Sequence, residues 1–238
     1  MDRPRRRRVA IVVIASVVAA TCIAFGFWQL QRLADRRARN AAIEHERSRE
    51  PMLITTAVGW GEVEPYTPVR ASGTFDPAHE VIVFGRSLDG EPGHLVVTPL
   101  RFDDDTAALV VRGWIPFDHQ IVPVADAAPP AGAFTIRGFL VPDEGDGSTV
   151  PDENGAIGRL DVDGIRSTLP YPVLPLAIQL TDQARPQLTD LPVPIPPEAL
   201  SEGPHLSYAV QWFTFATVAI VGGAILLRRD RRPPTATP

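Results

Sequence analysis

The sequence predicts a membrane-anchored, mainly β protein, in which an antiparallel sheet or small barrel is flanked by two transmembrane α-helices. Two apolar runs without a charged residue, 9–31 and 206–227, lie near the ends of the chain. Between Pro51 and Pro204 the chain holds short strand-like stretches separated by turn residues, and no helix-length amphipathic pattern. Apolar runs at both ends with strands between them indicate one β-rich domain tethered to a bilayer at two points.

Both apolar runs have the length of a membrane span. At about 1.5 Å per residue, residues 9–31 reach roughly 34 Å as a helix, enough for a hydrocarbon core of about 30 Å. A cleaved signal peptide is the alternative for this run, but its apolar region usually covers about 7–15 residues. A lipoprotein site at Cys22 fits poorly, because the cysteine lies in the middle of the run. We therefore predict an uncleaved anchor.

Arginine sets the expected orientation. The chain has no lysine, and arginines crowd into the tails 1–8 and 228–238. Positive charge near a span favours the cytoplasmic side, and two spans place both termini on the same side. We therefore expect a bacterial plasma membrane protein with both tails in the cytoplasm and residues 32–205 outside it. Four arginines just after the first span oppose this bias, but they begin a long segment, in which charge has less influence on topology.

The segment 32–205 is predicted to contain a helical entry, a sheet and a proline-rich exit. Good helix formers continue from Arg32 to Glu50, and Pro51 ends the helix. The turn Asp103–Asp105 between two strand patterns predicts an antiparallel hairpin. The exit to the membrane is Leu191–Pro204, which is stiffened by proline. The predicted strands are 67–75, 81–84, 94–102, 107–114, 134–141 and 176–180.

Catalytic motifs do not stand out, so we expect no enzymatic activity. The five histidines show no metal-ligand spacing, and the single cysteine excludes an intrachain disulfide. The segment Gly85–Gly90 resembles a nucleophile elbow around Ser87, but Asp89 replaces the second glycine and no helix follows. A membrane-tethered hydrolase using Ser87 is thus a weak alternative. The acidic middle of the chain also disfavours nucleic acid as a partner.

Polar and aromatic residues gather where the chain re-enters the membrane. His205, Tyr208 and Trp212 follow the spacing of one helix stripe, and Gln29 and Gln211 lie at the same expected membrane depth. An imidazole can serve as an axial haem ligand, and a groove between aromatic helices can shelter a porphyrin. The plainer alternative is an interfacial histidine that hydrogen-bonds lipid headgroups, with the aromatic residues forming a membrane belt.

Three blocks of the sequence resemble one known protein family. The blocks are Gly26–Arg32 (GFWQLQR), Arg86 with Gly93-His94, Thr98–Leu100 and Val110–Pro116 (VVRGWIP), and His205–Phe213 (HLSYAVQWF). They resemble the Surfeit locus protein 1 family, the assembly factors of haem-copper cytochrome c oxidase. Their order and the two-span layout match the family across essentially the whole chain. The chain departs from it after Arg32, where Asp35-Arg36 replaces an aromatic-lysine pair found in many members.

The resemblance implies a role in maturing oxidase subunit I at the step of haem a insertion. Its expected partners are subunit I or its assembly intermediates, haem a synthase and membrane lipid. A histidine at the start of the second span is implicated in haem a binding in bacterial members, and His205 matches that position. The only metal expected in this protein is therefore the haem iron, bound at His205. Tyr208 and Trp212 are the other implied cofactor-binding residues. Implied partner-binding residues are Trp28, Gln29, Arg32, Arg112, Gly113, Trp114 and Gln211.

Two alternatives stay open. Arg112, Gly113 and Trp114 also fit a glycine turn at a strand end with a packed tryptophan. The whole protein also fits a purely structural scaffold of an envelope complex that never contacts haem.

Overall fold

The computed structural model describes residues 3–54, 64–103, 105–197 and 199–230. The chain divides into two compact units. The helical unit contains residues 1–42 and 199–238, and the sheet domain contains residues 43–198. Arg231 and Arg232 of the predicted C-terminal tail lie outside the described residues.

Two long helices carry the predicted spans. Helix α1 covers Arg3–Arg47 and helix α3 covers His205–Arg229. Both are long and apolar enough to cross a membrane, judged by length and composition. The predicted continuation of the first span as a helix beyond Arg32 is confirmed, since α1 runs without a break to Arg47. The predicted second span, 206–227, lies inside α3.

Small residues let α1 and α3 pack closely as an antiparallel pair. The buried face of α1 includes Ala19, Cys22, Gly26, Gln29 and Leu33, which alternate in steps of three and four. A Cβ atom at Gly26 would come within 2.7 Å of the Phe213 ring, and one at Gly223 within 2.9 Å of the Ala15 Cβ. Glycine at these positions therefore permits the close helix approach that is typical of membrane helix pairs.

The ends of the helix pair are joined by ion pairs. Arg7 and Arg8 both bind the Asp230 carboxylate, at N–O distances of 2.9 and 3.0 Å. At the other end, Arg37 binds both carboxylate oxygens of Glu202 at 2.8 Å. Arginine contacts at both ends join α1 to α3 in one register, although exposed ion pairs add little to stability.

The sheet domain contains one eight-stranded mixed sheet. Its strands are β1 Met52–Leu53, β2 Pro68–Phe75, β3 Val81–Leu88, β4 Glu91–Arg101, β5 Ala107–Pro116, β6 Phe134–Val141, β7 Ala156–Ile157 and β8 Val173–Gln183. The order across the sheet is β1-β2-β6-β8-β5-β4-β3-β7. Strand β5 lies among the central strands, and every residue from Ala107 to Ile115 is buried.

The predicted antiparallel sheet is correct only in part. The β3–β4 and β4–β5 neighbours form antiparallel hairpins, and the second of these is the hairpin that the turn at 103–105 predicts. However, β1–β2, β3–β7 and β5–β8 are parallel. A parallel pair needs a long crossover connection, and the chain from 117 to 172 connects β5 to β8. Strand β2 also pairs with β4 over two residue pairs. The closure of the sheet into a small barrel stays a prediction.

Short elements complete the domain. Helix α2, Val162–Arg166, precedes β8, and single 3₁₀ turns cover Pro77–His79 and Ala125–Ala127. Strand β3 continues through Ser87 to Leu88, and the turn follows at Asp89 and Gly90. Ser87 therefore lies within a β-hairpin and not on the strand-to-helix turn that a nucleophile elbow requires.

The partly buried carboxylate of Asp76 makes part of the sheet domain's stability depend on pH. Asp76 accepts hydrogen bonds from His79 Nδ1 at 2.9 Å and from the Tyr171 hydroxyl at 2.8 Å. Burial acts to raise the pKa of Asp76, but the hydrogen bonds from His79 and Tyr171 outweigh it, and the pKa lies below its ordinary value. This stabilisation is therefore present above the unfolded-state pKa of about 3.9 and is lost as the pH falls through the lower folded-state value.

We expect Asp76→Asn to lower the thermal midpoint of the full chain at pH 7 and to have a shrinking effect as the pH falls below about 4. Melting curves of both proteins across pH 2–7 measure this difference. A difference that stays constant down to pH 2 would contradict the role of the Asp76 charge.

Candidate functional site

The predicted haem ligand is held by a residue on the opposite helix. His205 is the first residue of α3, and its Nδ1 lies 2.9 Å from Oε1 of Gln29 on α1. Gln29 is only 9% exposed. An amide oxygen can only accept a hydrogen bond, so Nδ1 of His205 carries the proton and donates it. In the neutral imidazole the lone pair is then on Nε2, which has no hydrogen-bond partner among the residues that the structure describes. This is the tautomer that binds a metal through Nε2.

Aromatic side chains connect α1 with α3 in the turns of α3 that follow His205. The Trp212 ring lies 4.9 Å from the Phe25 ring, and Phe27 meets Phe213 edge to face at 5.5 Å. Tyr208 is 47% exposed on the surface of α3. The helical unit thus has an aromatic and largely exposed surface beside the first turn of α3.

The other predicted residues of the helical unit separate into two groups. The Arg32 guanidinium lies 5.8 Å from the centre of the Trp28 ring, a cation–π distance. Gln211 is exposed and does not share in the contact between Gln29 and His205. The structure therefore joins Gln29 with His205 and Trp28 with Arg32.

Polar contacts that sequence reasoning missed fix the backbone just before His205. Arg36 Nε and Asn40 Nδ2 both donate to the Ser201 carbonyl, at 3.0 and 3.1 Å. Hydrogen bonds from Arg37 hold the pKa of Glu202 below its usual value. Two of the four arginines that opposed the predicted topology, Arg36 and Arg37, therefore have a structural role. The signal available in the sequence was a lone acidic residue, Glu202, close to the start of the second span.

Arg112 lies in the interior of the sheet domain. The β4–β5 register shifts between Val96 and Val97, which leaves Arg112 as the extra residue of a β-bulge. Bulges redirect a side chain, and the Arg112 side chain is 1% exposed. Its Nη1 donates to Glu80 Oε2 at 3.3 Å and to the Ala127 carbonyl at 2.6 Å. Burial raises the pKa of Glu80 and lowers that of Arg112.

Gly113 and Trp114 contact the proline-rich exit. Trp114 forms an isolated antiparallel bridge with Val193, with N–O distances of 2.8 Å in both directions. A Cβ at Gly113 would lie 2.5 Å from the Val193 carbonyl oxygen, so only glycine fits there. Gly113 is inside β5 and not at a strand-end turn, because β5 extends to Pro116. Within the sheet domain these residues make structural contacts, and their predicted role in partner binding stays a prediction.

Comparison with known proteins identifies the family. The SURF1 family model matches residues 16–217, from within α1 to within α3. The chain belongs to the SURF1 family. A SURF1-like protein of Rickettsia felis is 27% identical over 218 residues, covering 88% of this chain and 93% of the relative. A SURF1-like protein of Monosiga brevicollis is 25% identical over 238 residues, covering 91% of this chain and 90% of the relative.

A third relative has a descriptive name. The cytochrome oxidase assembly protein SHY1 of Saccharomyces cerevisiae is 31% identical over 109 residues, which cover 44% of this chain and 28% of the yeast protein. The family predicted from the three sequence blocks is confirmed by these matches.

The residues of this SURF1-family chain fit the chemistry of a porphyrin. A histidine-ligated haem site uses a ring nitrogen as the iron ligand and apolar side chains as the contact for the ring. His205 Nε2 can supply the nitrogen, and the exposed aromatic surface can supply the contact. Among the described residues no group of three or more His, Cys, Asp and Glu side chains could hold a separate metal ion.

Proposed function

We propose that this protein is a non-enzymatic assembly factor for haem-copper cytochrome c oxidase, and that it assists haem a insertion into subunit I. The observation that carries the proposal is the hydrogen bond from His205 Nδ1 to buried Gln29. In the neutral imidazole this contact leaves the lone pair on Nε2, at the start of a helix that is apolar enough to span a membrane. The family membership and the name of the yeast relative support the oxidase as the client.

Each side chain has a defined part in this proposal. Haem a, when bound, supplies the iron and the extended ring. His205 would hold the haem iron through Nε2, and Gln29 is a positioning residue that holds the imidazole in the correct tautomer. Trp212 and Tyr208 contact the ring, and the neighbouring apolar side chains exclude water. A single protein ligand on an exposed surface suits temporary binding, as delivery to a client requires.

The expected setting is the bacterial plasma membrane. The sheet domain lies outside the cytoplasm, and both termini lie inside it. Subunit I or its assembly intermediates would meet the exposed aromatic surface within the bilayer, and haem a synthase is the source from which haem a would arrive. Trp28, Arg32 and Gln211 are the proposed contacts with these partners.

Deletion of the gene tests the role in oxidase assembly. We expect the haem a band in the reduced-minus-oxidised spectrum of the membranes to fall, and the wild-type gene to restore it. His205→Ala should fail to restore the band. Leu206→Ala is the matched control, since Leu206 is an exposed neighbour in the same helical turn. An undiminished haem a band in the deletion strain would refute the proposal.

Purification separates this function from that of a structural scaffold. An assembly factor that handles haem should show a Soret band that His205→Ala removes. A colourless protein that stays stoichiometrically bound to an envelope complex would favour the scaffold.

A further inference from the structure

The buried Arg112 guanidinium has an edge that no other group satisfies. Its Nη1 binds Glu80 and Ala127, whereas Nε and Nη2 have no partner among the described residues. The residue is 2% exposed. Hydrogen bonds to charged groups are the strong ones in proteins, and two buried charged donors without a partner are unusual. Nε and Nη2 of Arg112 therefore indicate a site for a hydrogen-bond acceptor that the described residues do not supply.

The free donors have the geometry of a fork. In a planar guanidinium, the Nε–H and the adjacent Nη2–H point in the same direction and can bind the two oxygens of one carboxylate side by side. The opposite edge of Arg112 is already used by Glu80. One arginine can therefore keep its internal ion pair and bind a second carboxylate.

A cavity of the sheet domain borders this residue. It has a volume of about 370 Å³, and its lining includes Arg112, Leu180, Gln183 and Pro194. Both amide atoms of Gln183 are buried, and no residue of the described part of the chain hydrogen-bonds to them. Arg112 and Gln183 therefore lie together in the wall of this cavity. The Gln183 amide can donate through Nε2 and accept through Oε1.

We propose that this cavity binds a small organic carboxylate that carries a neighbouring hydroxyl group. The carboxylate would accept from Nε and Nη2 of Arg112, and the Gln183 amide would bind the hydroxyl. Asp182 also lines the cavity, so a ligand with a single negative charge is favoured over one with two. The site lies wholly inside the sheet domain and is independent of the proposed haem chemistry at His205.

The direct test is a titration of the full chain in detergent micelles, labelled with ¹⁵N-arginine. The Nε–H signal of Arg112, assigned by its loss in Arg112→Lys, should move downfield and saturate with lactate. Neutral lactamide has the same hydroxyl group without the charge and should have no effect. The absence of a saturable shift with lactate, or an equal shift with lactamide, would overturn the proposal.

Gln183→Leu tests the site without disturbing the Arg112–Glu80 pair. The variant loses the hydrogen bonds from the Gln183 amide to the ligand, so lactate binding should weaken about tenfold. Gln120→Leu makes the same chemical change at an exposed position outside the cavity and should leave the affinity unchanged. Asp182→Asn should tighten binding by removing a like charge. Equal lactate affinities of Gln183→Leu and Gln120→Leu would show that the Gln183 amide does not bind the ligand.

Discussion

Replacing Glu80 by alanine should destabilise the sheet domain by about 3–5 kcal/mol, because it leaves the Arg112 charge buried without its ion-pair partner. The Glu80 carboxylate also accepts from Thr98 Oγ1 and from the backbone N–H of Val124, both at 2.8 Å. These donors would lose their acceptor in the same variant. For a domain of this size the thermal midpoint should fall by roughly 6–20 °C, which melting of the full chain in micelles would measure.

A double variant distinguishes the unpaired charge from a packing defect. Glu80→Gln with Arg112→Met keeps an acceptor for Thr98 and Val124 and removes both charges. Replacing a buried ion pair with uncharged groups of similar size is often close to neutral. We expect this double variant to be more stable than Glu80→Ala. If Glu80→Ala melts within 2 °C of the wild type, the buried ion pair does not stabilise the sheet domain as predicted.

Gln29→Leu should weaken porphyrin binding by about 10–100-fold while His205 is still present. Binding weakens because Nδ1 of His205 would have no hydrogen-bond acceptor. Neither the tautomer nor the orientation of the imidazole ring would then be set. Titration of the purified protein with haemin, followed by the Soret band, measures the affinity. Since the readout is binding, it does not depend on a functioning oxidase.

Gln211→Leu is the matched control for this prediction. It makes the same chemical change on α3, at an exposed position that does not contact His205. Its affinity for haemin should stay within about twofold of the wild type. Equal losses in Gln29→Leu and Gln211→Leu would mean that glutamine polarity in general, and not the contact with His205, determines binding.

Local patterns in the sequence were sufficient for several elements. The two uncharged runs correspond to the apolar parts of α1 and α3, and the strand pattern at 134–141 matches β6 in both bounds. The turn at 103–105 correctly paired β4 with β5. These features depend on interactions between residues close in the chain, which periodicity and turn residues report directly.

The parallel pairing of β5 with β8 could not be predicted in the same way. The two strands are separated by more than fifty residues of chain, and nothing in their own residues specifies which neighbour each will take. A signal was present but general: Ala107–Val111 is a continuous apolar run, as expected of a strand buried on both faces. It indicates burial and leaves the direction of the neighbouring strand open.

For the candidate site, the sequence alone determined the residue types and their spacing along each helix, including His205, Tyr208 and Trp212. Only the tertiary structure decided that Gln29 meets His205 and that the β-bulge turns Arg112 inward to Glu80. The physical reason is that spacing fixes which residues share a face of one element. The partner on another element depends on the register in which the two elements pack, and that register is set by many contacts distributed along both.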